Sequence, residues 1–198
     1  MMKTLYLVRH GQTLFNARHK IQGWCDSPLT QIGIKQAQVA RDYFINQGIQ
    51  FDSAYCSTQE RAVDTLEIIT DKKIPYTQLK GLKEWNFGVY EGESEDLNPI
   101  PNPTYGDFFF DYGGEKESEV TERMVSTLTN VMNEDDSKTI LAVSHGGACR
   151  LFMNYWNQFH HIYQKERIGN CCIMKYEYEQ NVFTLVEIIN HDFSMIEK

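Results

Sequence analysis

The sequence of 198 residues has no apolar run that approaches the roughly 20 residues needed to span a membrane. It also has fewer basic than acidic residues, with 19 Lys and Arg and 27 Asp and Glu, which gives a formal net charge of −8 at pH 7. Nucleic acids are bound through basic surfaces, so this balance argues against a nucleic-acid-binding protein. Met1-Met2-Lys3 leads straight into a predicted strand rather than into a cleavable signal. We therefore expect a cytoplasmic protein with no membrane partner.

Cysteine and proline are also scarce, with five residues of each type. The number of cysteines is odd and no Cys-x-x-Cys pair occurs, so the sequence supports neither a disulfide framework nor a zinc site. Most of the cysteines are expected to be small buried apolar residues. The hydrophobic content of 41% and the charged content of 23% are typical of a folded protein. The length predicts one domain over residues 1–198.

Two apolar segments each end in a histidine followed by glycine. Leu5-Tyr6-Leu7-Val8 runs into Arg9-His10-Gly11, and residues 139–143 run into Ser144-His145-Gly146. Short apolar runs of this kind are typical of buried strands. The carboxyl ends of parallel strands meet at one edge of a sheet, often at a topological switch point where ligands bind. The pattern predicts that His10 and His145 converge at such an edge.

The sequence resembles the histidine phosphatase superfamily, the phosphoglycerate-mutase-like enzymes, and is most similar to its broad-specificity phosphatase branch. The resemblance covers residues 5 to about 150, with the matching pieces in the order that the family has them. The pieces are Leu7-Val8-Arg9-His10-Gly11-Gln12-Thr13 with Asn16, Gln22-Gly23-Trp24 through Ser27-Pro28-Leu29-Thr30 with Gly33, Cys56-Ser57 with Arg61-Ala62 and Thr65, Leu82-Lys83-Glu84 with Phe87-Gly88 and Glu91-Gly92, and Ser144-His145-Gly146.

The resemblance implies a phosphoryl transfer through a phosphohistidine. His10 would attack phosphorus as a neutral imidazole, with its other ring nitrogen holding a proton against a backbone carbonyl. Arg9 and Arg61 would clamp phosphate oxygens, because a guanidinium fork matches them bidentately. His145 would bind the transferring group and stabilise its charge. Glu84 would protonate the leaving oxygen and then activate water, a role that requires partial burial to favour the protonated carboxyl group.

Four further residues are expected to bind phosphate or substrate: Asn16, Gln22, Gly23 and Gly146. Loop amides usually meet water, so for Gln22 a solvated side chain is an equal alternative. The remaining histidines match no motif and are interpreted as ordinary: His19, His160, His161 and His191. We expect no metal and no cofactor, because two arginines beside the imidazoles would repel a divalent cation.

Strand-like and helix-like segments alternate through most of the chain, which predicts an α/β fold. The expected architecture is a three-layer α/β/α sandwich around a mostly parallel central sheet, with an irregular lid insertion over about residues 88–117. Helices are predicted from Thr30 to about residue 47, over 59–70, over 118–132 and over 147–157. Two final strands, near 171–178 and over 182–189, are predicted to form a hairpin through Glu179-Gln180-Asn181.

The lid composition bears on the type of reaction. Its 30 residues carry eight acids and one cation, Lys116, which is a poor match to the bisphosphorylated intermediate that a mutase must retain. The sequence therefore favours a phosphomonoester hydrolase acting on a small molecule; a phosphoglycerate mutase is the alternative, and a non-catalytic phosphate-binding module is a second one. The lid aromatics are expected either to contact the substrate or to pack the lid onto the body. Lys116 stands where many relatives carry a small hydroxyl residue.

Overall fold

The computed structural model describes residues 2–100, 105–159 and 168–196. His160 and His161 lie outside these residues. Within them the strands are β1 (Lys3–Arg9), β2 (Ser53–Ser57), β3 (Tyr76–Leu79), β4 (Thr139–Ser144), β5 (Ile173–Glu179) and β6 (Val182–Ile189). The α-helices of the same residues are α1 (Leu14–Ala17), α2 (Gln31–Asn46), α3 (Glu60–Thr70), α4 (Glu117–Glu134) and α5 (Gly146–Tyr155).

The strands form one sheet in the order β3-β2-β4-β1-β5-β6. The four strands β3, β2, β4 and β1 are parallel, whereas β5 and β6 are antiparallel to their neighbours. The prediction of a mostly parallel α/β sheet is therefore confirmed. β1 and β4 are direct neighbours, and their register sets Arg9 opposite Ser144 at the carboxyl ends.

The central strands are buried on both faces, and alternate side chains separate two apolar clusters. Leu5 and Leu7 of β1 join the cluster that includes α4 and α5, whereas Tyr6 and Val8 join the cluster that includes α2 and α3. This alternation follows from the two-residue period of a strand. Helices thus cover both faces of the sheet, which is the predicted three-layer arrangement.

Local signals in the sequence set several element boundaries. Thr30 caps α2, with its side chain accepting the N–H of Gly33, as the pattern predicts. Gln180 and Asn181 both adopt positive φ, of 52° and 62°, which is the backbone of a tight hairpin turn between β5 and β6. β5 begins at Ile173, two residues later than expected, and α5 ends at Tyr155, two residues earlier. Cys56, like three of the other four free cysteines, is buried.

The irregular segment 88–117 contains short 3₁₀ turns in its described part, and α4 begins at its last residue. Its aromatic rings pack mainly on one another. Phe109 is fully buried and lies 4.7 Å from the ring of Phe87 and 5.5 Å from that of Tyr105, measured between centroids. Phe110 and Tyr112 remain exposed. Packing of the lid onto the body therefore accounts for Phe109.

Candidate active site

The two histidines predicted to converge do so at the carboxyl ends of β1 and β4. The N–H of His10 donates to the carbonyl of Ser144 at 3.0 Å, which continues the pairing of the two strands by one residue. The two imidazole rings lie 5.2 Å apart between centroids. Both residues are buried, His10 at 4% exposure and His145 at 0%. The two imidazoles thus lie close together at the sheet edge.

Arg61 lies directly beneath both rings, at the first turn of α3. Its Nε–H is 3.1 Å from Nδ1 of His145 and 3.3 Å from Nε2 of His10. The side chain is fully buried, and its guanidinium also forms an ion pair of 2.7 Å with Asp26. The carbonyls of Gly23 and Cys25 accept two more of its N–H groups. Arg61 is thus a fixed cation that orients both histidines.

The hydrogen bonds define complementary tautomers for the two rings. Nδ1 of His10 lies 2.7 Å from the carbonyl of Gly11, so it carries the proton and leaves the lone pair on Nε2. Nδ1 of His145 instead accepts from Arg61, which places the proton of the neutral ring on Nε2. No residue in the described part of the chain pairs with that Nε2 atom, which is buried. One ring therefore offers a nucleophile and the other a hydrogen-bond donor.

Electrostatics keep both rings neutral. Burial, followed by the charges of Arg61 and Arg9, holds the pKa of His10 well below its usual value of 6.5. Burial and Arg61 act in the same direction on His145, so its pKa is also well below the usual value. Neutral imidazole is the form that can attack phosphorus. The charge state at neutral pH thus matches the predicted nucleophilic role of His10.

A cleft of about 380 Å³ opens above His10. It is lined by six of the nine predicted site residues: Arg9, His10, Asn16, Gln22, Glu84 and Gly146. Three others do not line it. Arg61 and His145 lie below the cleft floor, and the backbone groups of Gly23 are already engaged, with its N–H donating to Glu91 and its carbonyl accepting from Arg61. The structure thus places Gly23 as support for Arg61 rather than as part of the cleft wall.

Several hydrogen-bond donors line the inner end of the cleft. The amide oxygen of Asn16 accepts the N–H of Thr13 and one from Asn170, which leaves its NH₂ group to donate elsewhere. Gly146 begins α5, where backbone N–H groups and the helix dipole favour an anion. A Cβ atom at Gly146 would lie 3.2 Å from Nε of Arg9, so glycine lets this arginine pack against the helix start. The N–H groups of Gly147 and Ala148 are engaged by Glu84. Arg9, Asn16 and the N–H of Gly146 are therefore the donors that can form an anion site here.

The carboxyl group of Glu84 faces the same helix start. Oε2 accepts the N–H of Gly147 at 2.9 Å, and Oε1 accepts the N–H groups of Ala148 and Trp85 at 2.8 Å each. The residue is 6% exposed. Gly147 is needed for this approach, because a Cβ atom there would lie 2.8 Å from Oε1. Glu84 is therefore held in one orientation beside the anion site.

Gln22 lies at the cleft with both ends of its amide engaged. Its oxygen accepts from the hydroxyl of Thr13, and its nitrogen donates to Ser27 at 3.1 Å. The side chain is therefore ordered within the loop rather than free in water. His19 lies away from the reacting rings, with 83% of its side chain exposed.

Two charged residues that sequence reasoning missed, Arg123 and Asp26, support residues of the site. Arg123 of α4 donates to the carbonyls of Gly81, Lys83 and Glu84 at 2.6 to 3.0 Å and pairs with Glu115. Asp26, which anchors Arg61, was also missed. Both residues bond across long sequence separations, and no local pattern in one sequence marks such contacts.

The outer part of the cleft brings two more cations that the sequence did not single out. Lys20 and Arg150 both line it, together with the acid Glu95. Arg150 is four residues after Gly146, so the two lie on the same face of α5, about one turn apart. Of the eight acids in the lid, Glu95 alone is among the described residues that line the cleft. Lys116 instead lies over the ring of Phe110, 4.4 Å from its centroid.

The described residues contain no group of three His, Cys, Asp or Glu side chains placed to hold a metal ion. None of the helices in the same ranges is long and apolar enough to cross a membrane.

Comparisons with solved structures agree with the fold. A phosphoglycerate mutase from Bacillus anthracis superposes with a TM-score of 0.81 at 24% identity, over 94% of this chain and 92% of that one. A phosphoserine phosphatase mutant from Entamoeba histolytica, in complex with phosphoserine, gives a TM-score of 0.78 at 27% identity, over 98% and 99% of the two chains. Both similar structures thus share the three-layer architecture over nearly the full chain.

Sequence comparison identifies the family directly. The chain is 34% identical over 191 residues to "Probable phosphoglycerate mutase GpmB" from Yersinia pestis, covering 91% of this chain and 87% of the relative. The model of the histidine phosphatase superfamily (branch 1) matches residues 5–191. Members of that superfamily are phosphatases or mutases, and a phosphohistidine mechanism is general to them. With its paired imidazoles and buried arginine at one sheet edge, this chain belongs to the histidine phosphatase superfamily.

Proposed function

We propose that the protein is a metal-independent phosphomonoester hydrolase that acts through a phosphohistidine on Nε2 of His10. The observation that carries the proposal is the state of this ring: Nδ1 donates to Gly11, the lone pair is on Nε2, and burial beside Arg61 lowers the pKa. A neutral, oriented imidazole at the floor of an anion site is what attack on phosphorus requires.

In the first step, the lone pair of His10 Nε2 forms a bond to phosphorus while the bond to the ester oxygen breaks. Arg9, the NH₂ group of Asn16 and the N–H of Gly146 at the start of α5 are the candidate groups to stabilise the equatorial oxygens. The leaving alcohol takes its proton from Glu84. Oε2 of Glu84 accepts one N–H, so it keeps a second lone pair that can carry this proton.

In the second step, the Glu84 carboxylate takes a proton from water, and the water oxygen attacks phosphorus. The bond between phosphorus and His10 Nε2 breaks and inorganic phosphate leaves. The Nε–H of Arg61 gives up its bond to His10 Nε2 when that atom bonds to phosphorus and keeps its bond to Nδ1 of His145. The fixed charges of Arg61 and Arg9 supply the positive potential for which other phosphatases use a divalent cation.

A phosphoglycerate mutase is the second candidate. Two observations favour it: the relative from Yersinia pestis carries that name, and Lys20 and Arg150 add cations to the cleft that the lid does not provide. The two reactions share the first step and differ in the acceptor of the phosphoryl group, which is water in one and a hydroxyl group of the acid in the other.

The test is phosphate release in the presence of a chelator from p-nitrophenyl phosphate, 3-phosphoglycerate, phosphoserine, sugar phosphates and nucleotides. The 3-phosphoglycerate reaction is assayed for 2-phosphoglycerate as well. We expect release that disappears in His10→Ala and persists in His19→Ala, a matched change of an exposed histidine. Isomerisation without release supports the mutase, and tight binding without either reaction supports a non-catalytic module.

Glu84→Gln tests the acid separately. General acid catalysis contributes about 10²- to 10⁴-fold for poor leaving groups. We expect a loss of that order in kcat/KM for alkyl phosphates and a much smaller loss in kcat/KM for p-nitrophenyl phosphate. This parameter reports the first step, in which p-nitrophenolate leaves without a proton. Equal losses for both substrates remove Glu84 from the acid role.

A further inference from the structure

The cleft is larger than one phosphoryl group needs. Its volume of about 380 Å³ falls in the range of sites that enclose a small organic ligand. Arg9, Asn16, Gly146 and Glu84 account for its inner end, where the phosphoryl group is placed by the proposed function. The outer part has a different lining, in which Lys20 and Arg150 are the charged groups of positive sign.

Both cations have fixed main chains. Arg150 lies four residues after Gly146 on α5, which puts its Cα atom about 6 Å farther along the helix axis. Lys20 is anchored by its N–H, which donates to the carbonyl of Phe15 at 2.9 Å, and by an isolated bridge to Ser94. The two side chains are half-buried and therefore partly removed from solvent.

Neither side chain is paired by another residue that the structure describes. Other buried or half-buried arginines are engaged, Arg61 by Asp26 and Arg123 by Glu115. Lys20 and Arg150 form no ion pair or side-chain hydrogen bond with any residue in the described ranges. Half-buried charges without a partner are costly, and in a ligand cleft an anionic ligand group can supply the missing partner.

The acids of the cleft do not cancel these charges. Both oxygens of Glu84 accept backbone N–H groups, as described above. Glu95 is the other acid of the lining, and none of the ion pairs among the described residues joins it to Lys20 or Arg150; with Arg9, three cations line the cleft against two acids. The cleft therefore keeps a positive outer part in a chain whose net charge is −8.

We propose that Lys20 and Arg150 form a subsite for a second anionic group of the substrate. The preferred substrates are then phosphomonoesters whose alcohol part carries a carboxylate or a second phosphate. This inference rests on the proposed function, because it assumes that the transferred phosphate occupies the inner end of the cleft. Under this proposal, Lys20 and Arg150 determine substrate specificity.

The experiment uses two matched pairs of substrates. 3-Phosphoglycerate and glycerol 3-phosphate differ by a carboxylate, and fructose 1,6-bisphosphate and fructose 1-phosphate differ by a second phosphate. The readout is the ratio of kcat/KM for phosphate release between the members of each pair. The same preference is measured as binding to the His10→Ala protein by calorimetry, which needs no turnover.

We expect a ratio of at least about tenfold in one pair, since a charge-assisted hydrogen bond discriminates by that factor or more. The pair that shows it identifies the second group as carboxylate or phosphate. Arg150→Gln and Lys20→Gln should each reduce the ratio by about tenfold, with Arg150→Lys retaining part of it. Arg18→Gln, a matched change of an exposed arginine outside the cleft, should leave the ratio unchanged.

Ratios near one in both pairs, in turnover and in binding, overturn the subsite. If turnover still depends on His10, the phosphatase proposal survives that result. The opposite outcome is a protein that shows no turnover but a binding preference that depends on Arg150. That result supports the subsite and contradicts the proposed hydrolase activity. Loss of preference in Arg18→Gln as well contradicts the assignment to these two side chains.

Discussion

Arg123 is the residue through which the fold holds the candidate acid, and replacing it with lysine tests that claim. Its guanidinium donates to three carbonyls of the segment that carries Glu84, those of Gly81, Lys83 and Glu84. It also pairs with both oxygens of Glu115 at 2.8 and 3.0 Å. Lysine keeps the charge but has three donors on one nitrogen, so it cannot span acceptors on both sides.

The expected magnitude follows from these contacts. Arg123→Lys loses at least two of five hydrogen bonds, and the side chains involved are 19% and 15% exposed. A hydrogen bond to a neutral group contributes about 1 kcal/mol and one to a charged group about 1.5–3 kcal/mol. We therefore expect the free energy of unfolding to fall by about 2–4 kcal/mol. Lysine and arginine have similar helix propensities, so α4 itself is not weakened.

The effect on activity separates support of Glu84 from general stability. A displacement of about 1 Å in a catalytic group can cost on the order of 10²-fold. We expect kcat/KM for an alkyl phosphate to fall about 10- to 100-fold, and kcat/KM for p-nitrophenyl phosphate to fall much less, since its leaving group needs no acid.

Arg41→Lys is the matched control. Arg41 pairs with Asp42 on the surface of α2, with side chains 30% and 57% exposed. Exposed pairs of this kind contribute about 0.2–1 kcal/mol, so its loss should be within that range. Urea denaturation gives the stabilities. If Arg123→Lys lowers the rates with both substrates equally, Arg123 does not position the acid. If the free energy of unfolding falls no more in Arg123→Lys than in Arg41→Lys, the estimated contribution of the Arg123 hydrogen bonds is wrong.

The depressed pKa values of His10 and His145 predict a stability that falls as pH decreases below about 6.5, because the unfolded chain then binds protons that the folded chain does not. The free energy of unfolding, from urea titrations between pH 8 and 5, should therefore drop more steeply than in a variant with both residues changed to glutamine, by up to about 2.7 kcal/mol per pH unit. Gly147→Ala should displace the carboxyl group of Glu84, 2.8 Å from the new Cβ atom, and slow alkyl phosphate turnover more than tenfold. Thermal unfolding should change little, because alanine favours a helix by about 1 kcal/mol over glycine and offsets the clash. Phe109→Ala should cost about 3–5 kcal/mol in chemical denaturation, since the ring is fully buried.

The inner half of the site was predictable because the sheet determines it. An apolar run followed by a polar residue marks the end of a buried strand, and parallel neighbours end at one edge. His10 and His145 follow such runs, so only the pairing of β1 with β4 had to be inferred. Arg61 came from the family resemblance, and the structure places it in the first turn of α3.

The supporting residues were not predictable, because the contacts that define them are long-range. Asp26 pairs with Arg61 across 35 positions, and Arg123 donates to the carbonyl of Glu84 across 39. In the sequence, Asp26 is one of 27 Asp and Glu residues, and nothing distinguishes it. Gly23 matched a motif, yet its backbone supports Arg61 instead of lining the cleft. A motif identifies a residue that matters without stating which of its atoms is used.

The lid shows why charge counted along the sequence differs from charge in a cleft. Eight acids argued against a bisphosphate, but Glu91 is occupied by backbone N–H groups of the loop at Gly23 and Glu115 is paired with Arg123. The cations that line the cleft come from outside the lid: Arg9 at the end of β1, Lys20 after α1 and Arg150 on α5. At contact distance, a few placed charges outweigh the net charge of the segment or of the chain. Selectivity for the leaving group should therefore follow Lys20 and Arg150, and the acidity of the lid should have little effect on it.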